Sequence, residues 1–168
     1  MTETPSKMQI LMARLAILLV IGLLIAGATL HGVSRDVLLR GWRNILDRPG
    51  GPMTFRFILQ PAMAAIAALH DGIKDARTGR SPYFWVILTS RTDRGGRLRE
   101  GLISTARIIL LGLAMDTIYQ VIVFRTYYPG EAVIVAATLA FLPYLALRGP
   151  IARIARWRRG DAPADEVH

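Results

Sequence analysis

Two apolar runs, 101–124 and 130–147, are joined by little more than a turn around Tyr127-Tyr128-Pro129. Each is about as long as the ~20 helical residues that cross a hydrocarbon core ~30 Å thick. In lipid the backbone must satisfy its own hydrogen bonds, so two such runs on a short link predict a helical hairpin. Asp116 lies well inside the first run. A bare carboxylate at that depth costs ~3 kcal/mol, so the residue must face protein or water. The solvent of this chain is therefore lipid, and its interior contains at least one charge to be accounted for.

Two further stretches extend the pattern. Residues 10–30 are apolar apart from Arg14, which lies near enough to the end to snorkel to the interface. An alternative reading of the same stretch is a secretory signal, with Leu15 to Ile25 as its apolar core and Ala26-Gly27-Ala28 as a cleavage site. Residues 53–69 are apolar and alanine-rich but include Arg56, Gln60 and Pro61. Polar residues near a span centre cost roughly 2–3 kcal/mol each, so this segment needs neighbouring helices to supply partners. It is read as a second span. The expected fold class is all-α, a membrane bundle of about four transmembrane helices with interfacial amphipathic helices, forming one domain over 1–168.

Between and after the spans the sequence is amphipathic. Ser34 can cap a helix over 35–47, in which Leu38, Trp42, Ile45 and Leu46 recur opposite Arg35, Arg40, Arg43 and Arg48, until Pro49-Gly50-Gly51-Pro52 stops it. A polar basic turn is expected over 70–80, then an interfacial or re-entrant segment over 82–89, then an arginine-rich loop around Gly95-Gly96. The last span is expected to end at Arg148-Gly149-Pro150, ahead of a basic cytoplasmic tail, 151–168.

Charge sets the expected orientation. The chain carries 21 Lys and Arg against 12 Asp and Glu, a formal net charge of +9, and only Lys7 and Lys74 of the cations are lysine. With four spans, Lys7, Lys74, Arg77, Arg80, Arg91, Arg94, Arg97, Arg99 and the tail fall on one side, against Arg35, Arg40, Arg43, Arg48 and Arg125 on the other. The positive-inside rule makes the first side cytoplasmic. A three-span alternative, with 53–69 lying on the cytoplasmic face, keeps the C-terminus cytoplasmic as well. Arg91, Arg94, Arg97, Arg99, Arg153, Arg156, Arg158 and Arg159 are candidate contacts for anionic lipid head groups.

Candidate chemistry is sparse. Asp116, Gln120, Gln60 and Arg56 are the intramembrane polar candidates, with Asp116 either a proton or cation relay or the partner of Gln60 or Arg56 across a helix interface. Arg107 is nine residues from Asp116 and so on the opposite helix face. Glu131 sits in a helical first turn, where the macrodipole favours it, and can pair with Arg125. His70, Asp71, Asp75 and Arg77 form a charged cluster, but no metal-ligand spacing such as HExxH occurs and no metal or other cofactor is expected. Ser34, Ser81, Ser90 and Ser104 lack an adjacent base or a GxSxG context. There is no phosphate-binding loop, no cysteine for thiol or metal chemistry, and no stacking platform for nucleic acid.

The strings Asp71-Gly-Ile-Lys-Asp-Ala-Arg-Thr-Gly-Arg-Ser-Pro-Tyr, Asp116-Thr-Ile-Tyr-Gln, Tyr128-Pro-Gly-Glu-Ala, Leu142-Pro-Tyr and Arg148-Gly-Pro resemble those of small, uncharacterised multi-span bacterial inner-membrane proteins. The resemblance spans most of 53–156 and implies a location, the bacterial inner membrane, without an activity or site residues. The expected role is a non-enzymatic accessory or self-associating membrane subunit, working as a homo-oligomer or within a larger complex. The alternatives are a small proton- or cation-coupled permease using Asp116, and a head-group enzyme drawing on His70, Asp71, Asp75, Asp93 and Glu100.

Overall fold

A computed structural model describes residues 5–51, 53–81 and 83–158. Among the described residues the regular structure is all helical, with no strand: α1 (Lys7–His31), α2 (Arg35–Asp47), α3 (Arg56–Arg77), α4 (Tyr83–Thr89), α5 (Arg94–Tyr119) and α6 (Pro129–Trp157). A π-helical turn, Gln120–Phe124, prolongs α5, and a 3-10 turn, Arg48–Gly50, follows α2. Three helices are long and apolar enough to cross a membrane: α1, α5 with its π turn, and α6.

The helices start where the local chemistry dictates. Ser6 caps α1 in a reciprocal capping box with Gln9, and Ser34 accepts a hydrogen bond from the Val37 amide to open α2. Pro129 opens α6 at a position where its missing amide costs nothing. Arg125 adopts φ 50°, which ends the π turn and bends the chain into the link before α6.

Rows of small residues decide how closely the helices pack. Ala64, Ala68, Gly72 and Ala76 recur every fourth residue along α3, and Ala132, Ala136 and Ala140 do so along α6, all of them buried. A Cβ on Gly72 would lie 2.9 Å from the Arg148 carbonyl oxygen of α6, so the backbones approach to contact. Gly27 of α1 meets Gly130 in the same way, at 2.9 Å from a built Cβ to the Gly130 nitrogen. Without a hydrophobic drive between helices in lipid, such close contact is the main source of association. α3 and α6 run parallel, since Gly72 meets Arg148 and Ile151 while Gln60 lies level with Ala136. α5 runs against both. α1 packs against α5 and α6 through Ala13 and Ala16 and is the most lightly held, with 11% of its apolar window buried against 44% and 39% for the other two.

Several expectations are corrected. Residues 70–80 are not a turn until Thr78, because α3 continues to Arg77 and turns Asp71 and Asp75 toward α6. The Gly95-Gly96 pair is the first turn of α5 rather than a loop. α6 passes through Arg148-Gly149-Pro150 and ends at Trp157, so the last helix does not end where the sequence set its stop. Pro150 removes only its bond to the Ala146 carbonyl, and the turns on either side hold Arg148 and Ala152 in the interior. Residues 159–168, including Arg159, lie outside the described residues.

Because the α3–α6 contact is backbone-close, a large side chain in it forces the helices apart. Ala136→Leu or Gly72→Leu should cost about 1–3 kcal/mol or more in detergent unfolding. Ile66→Leu, at a position 67% exposed, should be neutral in the same measurement.

Candidate functional site

The charged residues inside the bundle form two clusters, one at each end of α3. At the first, Arg56 Nη1 lies 2.7 Å from Asp116 Oδ1, and Arg48 Nη2 lies 3.4 Å from Asp116 Oδ2. Gln120 donates from Nε2 to Asp116 Oδ2 at 2.6 Å. Its amide also clamps the helical link, with Nε2 donating to the Tyr128 carbonyl and Oε1 accepting from the Tyr128 amide. Arg48 continues to Glu131 at 3.2 Å, and Asn44 of α2 donates to both Glu131 oxygens at 3.1 and 3.3 Å. The expected pairing of Glu131 with Arg125 is thus replaced by Arg48 and Asn44. Tyr119 is shared by the two guanidiniums, with Arg56 4.8 Å and Arg48 5.7 Å from its ring centre.

Burial lowers the Arg48 pKa from its ordinary value, while Asp116 and then Glu131 act in the opposite direction. Two cations and two carboxylates balance, with Arg48, Arg56, Asp116 and Gln120 at most 1% exposed. Gln60, also expected beside Asp116, is buried at this level, but its amide has no hydrogen-bond partner in the protein. It fits there because Gly112 of α5 has no side chain.

The second cluster is at the other end of α3. Arg148 holds Asp75 through two bonds, Nε to Oδ2 at 2.8 Å and Nη2 to Oδ1 at 3.0 Å. Arg97 adds a third contact to Asp75 at 3.2 Å, and Glu100 receives Arg148 at 3.0 Å and Arg80 at 3.2 Å. Asp71 accepts from Ser104 Oγ and from the Tyr144 hydroxyl, both at 2.6 Å. Tyr83 of α4 lies under the Arg148 guanidinium at 4.2 Å and donates to the Arg97 carbonyl at 2.7 Å. Burial pushes the Tyr83 phenol up to about 12 against the pull of Arg148, so it stays a donor. Three arginines here face three carboxylates.

Between the clusters the buried face of α3 is alanine. From Gln60 to Asp71 is eleven residues, about 16 Å of helix. The buried residues of α3 in that stretch are Ala64 and Ala68, faced by Ala136 and Ala140.

Of the residues singled out in the sequence, the structure gathers Asp116, Gln120, Arg56 and Gln60 into one place, and Asp71, Asp75 and Glu100 into the other. His70 is exposed and Asp93 instead accepts from Ser90. Arg107 faces outward. Among the arginines proposed for lipid, Arg91, Arg94, Arg99, Arg153 and Arg158 are exposed. Arg97 and Arg156 are not. Arg97 is spent on Asp75 and Glu100, and Arg156 donates to the Arg80 carbonyl at 3.1 Å. Sequence reasoning missed Arg48, Tyr144 and Arg148. The spacing of four that pairs Asp71 with Asp75, and Tyr144 with Arg148, was the available signal for a polar stripe on each helix. Ser104, expected to lack an acid-base neighbour, has Asp71. That carboxylate already serves Tyr144 and lies 3.9 Å from Arg148, which makes it a poor base.

Comparison with protein-family models, with curated proteins and with solved structures finds no match to this chain. Among the described residues no group of three or more His, Cys, Asp or Glu is placed to hold a metal ion.

Removing one member of a buried pair strands the other. Asp75→Asn or Arg148→Met alone should cost about 3–5 kcal/mol in detergent unfolding, whereas Asp75→Leu combined with Arg148→Met should recover most of the loss. A double-mutant cycle measures this coupling, and additive losses would mean that the two side chains do not act as a pair.

Proposed function

We propose that this chain is a non-enzymatic integral membrane subunit that associates with itself or with a larger membrane complex through its lipid-facing exterior. In this reading α3 is a fourth crossing, whose charged residues are tolerated because α5 and α6 supply their countercharges. The single observation that carries the proposal is that both interior charge clusters are closed and self-neutralising. Each carboxylate in them faces a guanidinium, and among the described residues no chain of polar groups connects them along the buried face of α3. The polar positions Gln60, Asp116 and Gln120 and the alanines Ala64 and Ala68 of α3 are buried within the fold, so they do not face a partner. The outward faces remain, above all that of α1, where Leu18, Ile21 and Ile25 are 69%, 50% and 59% exposed.

Orientation follows from helix direction. The N-terminal ends of α1 and α5 and the C-terminal ends of α3 and α6 share one end of the bundle, with Lys7, Lys74, Arg77, Arg91, Arg94, Arg99, Arg153 and Arg158. The opposite end has Arg35, Arg40, Arg43 and Arg125. The positive-inside rule assigns the first end, and with it the C-terminus, to the cytoplasm of a bacterial inner membrane. Anionic head groups are the expected lipid partners there.

One observation favours a second reading, a proton- or cation-coupled permease. Beside Asp116, the Gln60 amide and the Arg56 nitrogens have no hydrogen-bond partner in the protein, which gives that end a polar interior.

Asp116→Asn separates the two. The subunit reading expects ion flux in proteoliposomes to stay at background for both forms, with the variant losing thermal stability. Proton flux above background that Asp116→Asn abolishes would establish the permease instead. Particle mass in mild detergent completes the test: a multiple of 18.6 kDa or a fixed set of companions supports the subunit, and a strict monomer argues against it.

A further inference from the structure

We propose that the groove between the C-terminal ends of α3 and α6 binds one anionic phospholipid, with an acyl chain along its floor and the phosphate between Arg77 and Arg158. The groove encloses about 410 Å³. Its walls are Leu69 and Ile73 of α3 and Ile151 and Ile154 of α6, and its only charged lining residues are Arg77 and Arg158. Among the described residues no carboxylate lines it. Neither arginine makes an ion pair or side-chain hydrogen bond among the described residues, in contrast to Arg97, Arg148 and Arg156 nearby.

This pairing of chemistries selects the ligand. An apolar floor excludes a free anion as the natural occupant, and two unpaired guanidiniums exclude a neutral chain as the preferred one. A guanidinium presents a planar fork of donors that matches phosphate oxygens. The volume suits a single chain and is too small for a partner helix, whose diameter with side chains is about 10–12 Å. Trp157, 81% exposed one residue before Arg158, marks this as the level of the head groups.

The larger cleft beside it, about 1620 Å³ between α1, α3 and α5, differs in kind. Three carboxylates, Asp71, Asp93 and Glu100, line it among its cations Lys74, Arg80, Arg97 and Arg99, of which Arg80 and Arg97 are already held by Asp75 and Glu100, so a phosphate there would meet repulsion that the α3–α6 groove lacks. The α3–α6 groove is therefore the better lipid site, although the arginine run 91–99 is the denser in sequence. The inference rests on the membrane placement of α6 and is independent of whether the chain acts as a subunit or a permease.

Native mass spectrometry of the full chain in mild detergent tests it, titrating phosphatidylglycerol, phosphatidylcholine with the same acyl chains, and glycerol 3-phosphate. One phosphatidylglycerol should bind saturably and more tightly than phosphatidylcholine, with glycerol 3-phosphate failing to compete. Arg77→Gln and Arg158→Gln should each weaken binding about fivefold, from roughly 1 kcal/mol per basic residue near an anionic head group. Ala155→Phe, which fills the groove and keeps both charges, should weaken it comparably. Arg91→Gln with Arg99→Gln should leave it unchanged. Equal binding of phosphatidylcholine, or no loss in Arg77→Gln and Arg158→Gln, would overturn the proposal. Competition by glycerol 3-phosphate would reassign the site to free phosphate, and full binding by Ala155→Phe would reduce it to a surface contact, so either result also refutes the groove.

Discussion

Asp75 and Arg148 face each other through two hydrogen bonds, and each side chain is 1% exposed. Taking both charges out of water is costly, and the mutual attraction repays it only when further groups saturate the remaining donors and acceptors. Arg97, Glu100, Tyr144 and Tyr83 do this. The consequence reaches across the molecule: Arg148 faces Asp75 where the last two turns of α3 lie against α6, and it is turned inward where α6 passes Gly149-Pro150 as a helix. The short helix α4 is held by the same group, since Tyr83 packs on the Arg148 guanidinium and hydrogen-bonds α5.

The three apolar helices were legible because they need no partners to be recognised: length and hydropathy suffice. α2 was equally legible from the spacing of Leu38, Trp42 and Leu46 and the cap at Ser34. What failed was the reading of charge as a boundary. His70 to Arg80 looked like a turn because its residues are polar, and Arg148-Gly149-Pro150 looked like a stop because all three disfavour a buried helix. Each set is explained by the other, since Asp71 and Asp75 are the countercharges and hydrogen-bond partners for Arg148 and Tyr144. A single sequence shows that a polar residue requires a partner but not where the partner is, when 73 residues separate the two.

The interior site was partly legible for the same reason. Asp116 declared itself by its depth, and Arg56, Gln60 and Gln120 were the polar groups at comparable depth. Arg48 did not, because it continues the polar face of an amphipathic helix on which Arg35 and Arg43 are exposed and Arg40 lies over the Tyr128 ring. The Pro49-Gly50-Gly51 turn carries it under Tyr119: a Cβ on Gly51 would stand 2.8 Å from the Tyr119 hydroxyl, so only glycine lets the turn come so close.

The two clusters together fix the register of α3. Sliding α3 by one residue rotates its side-chain stripe by about 100°, which would turn Arg56 and Gln60 from Asp116, and Asp75 from Arg148, at the same step. It would also replace Ala64, Ala68 and Gly72 at the α6 contact by bulkier neighbours such as Leu69 and Ile73. Charge and steric fit therefore reject the same displacement. The price of that specificity is an α3 too polar to enter lipid alone. The α5–α6 hairpin carries Asp116, Glu131 and Arg148, so it supplies partners at both ends, and the polar positions that make α3 a poor span by composition are the ones that hold it in place.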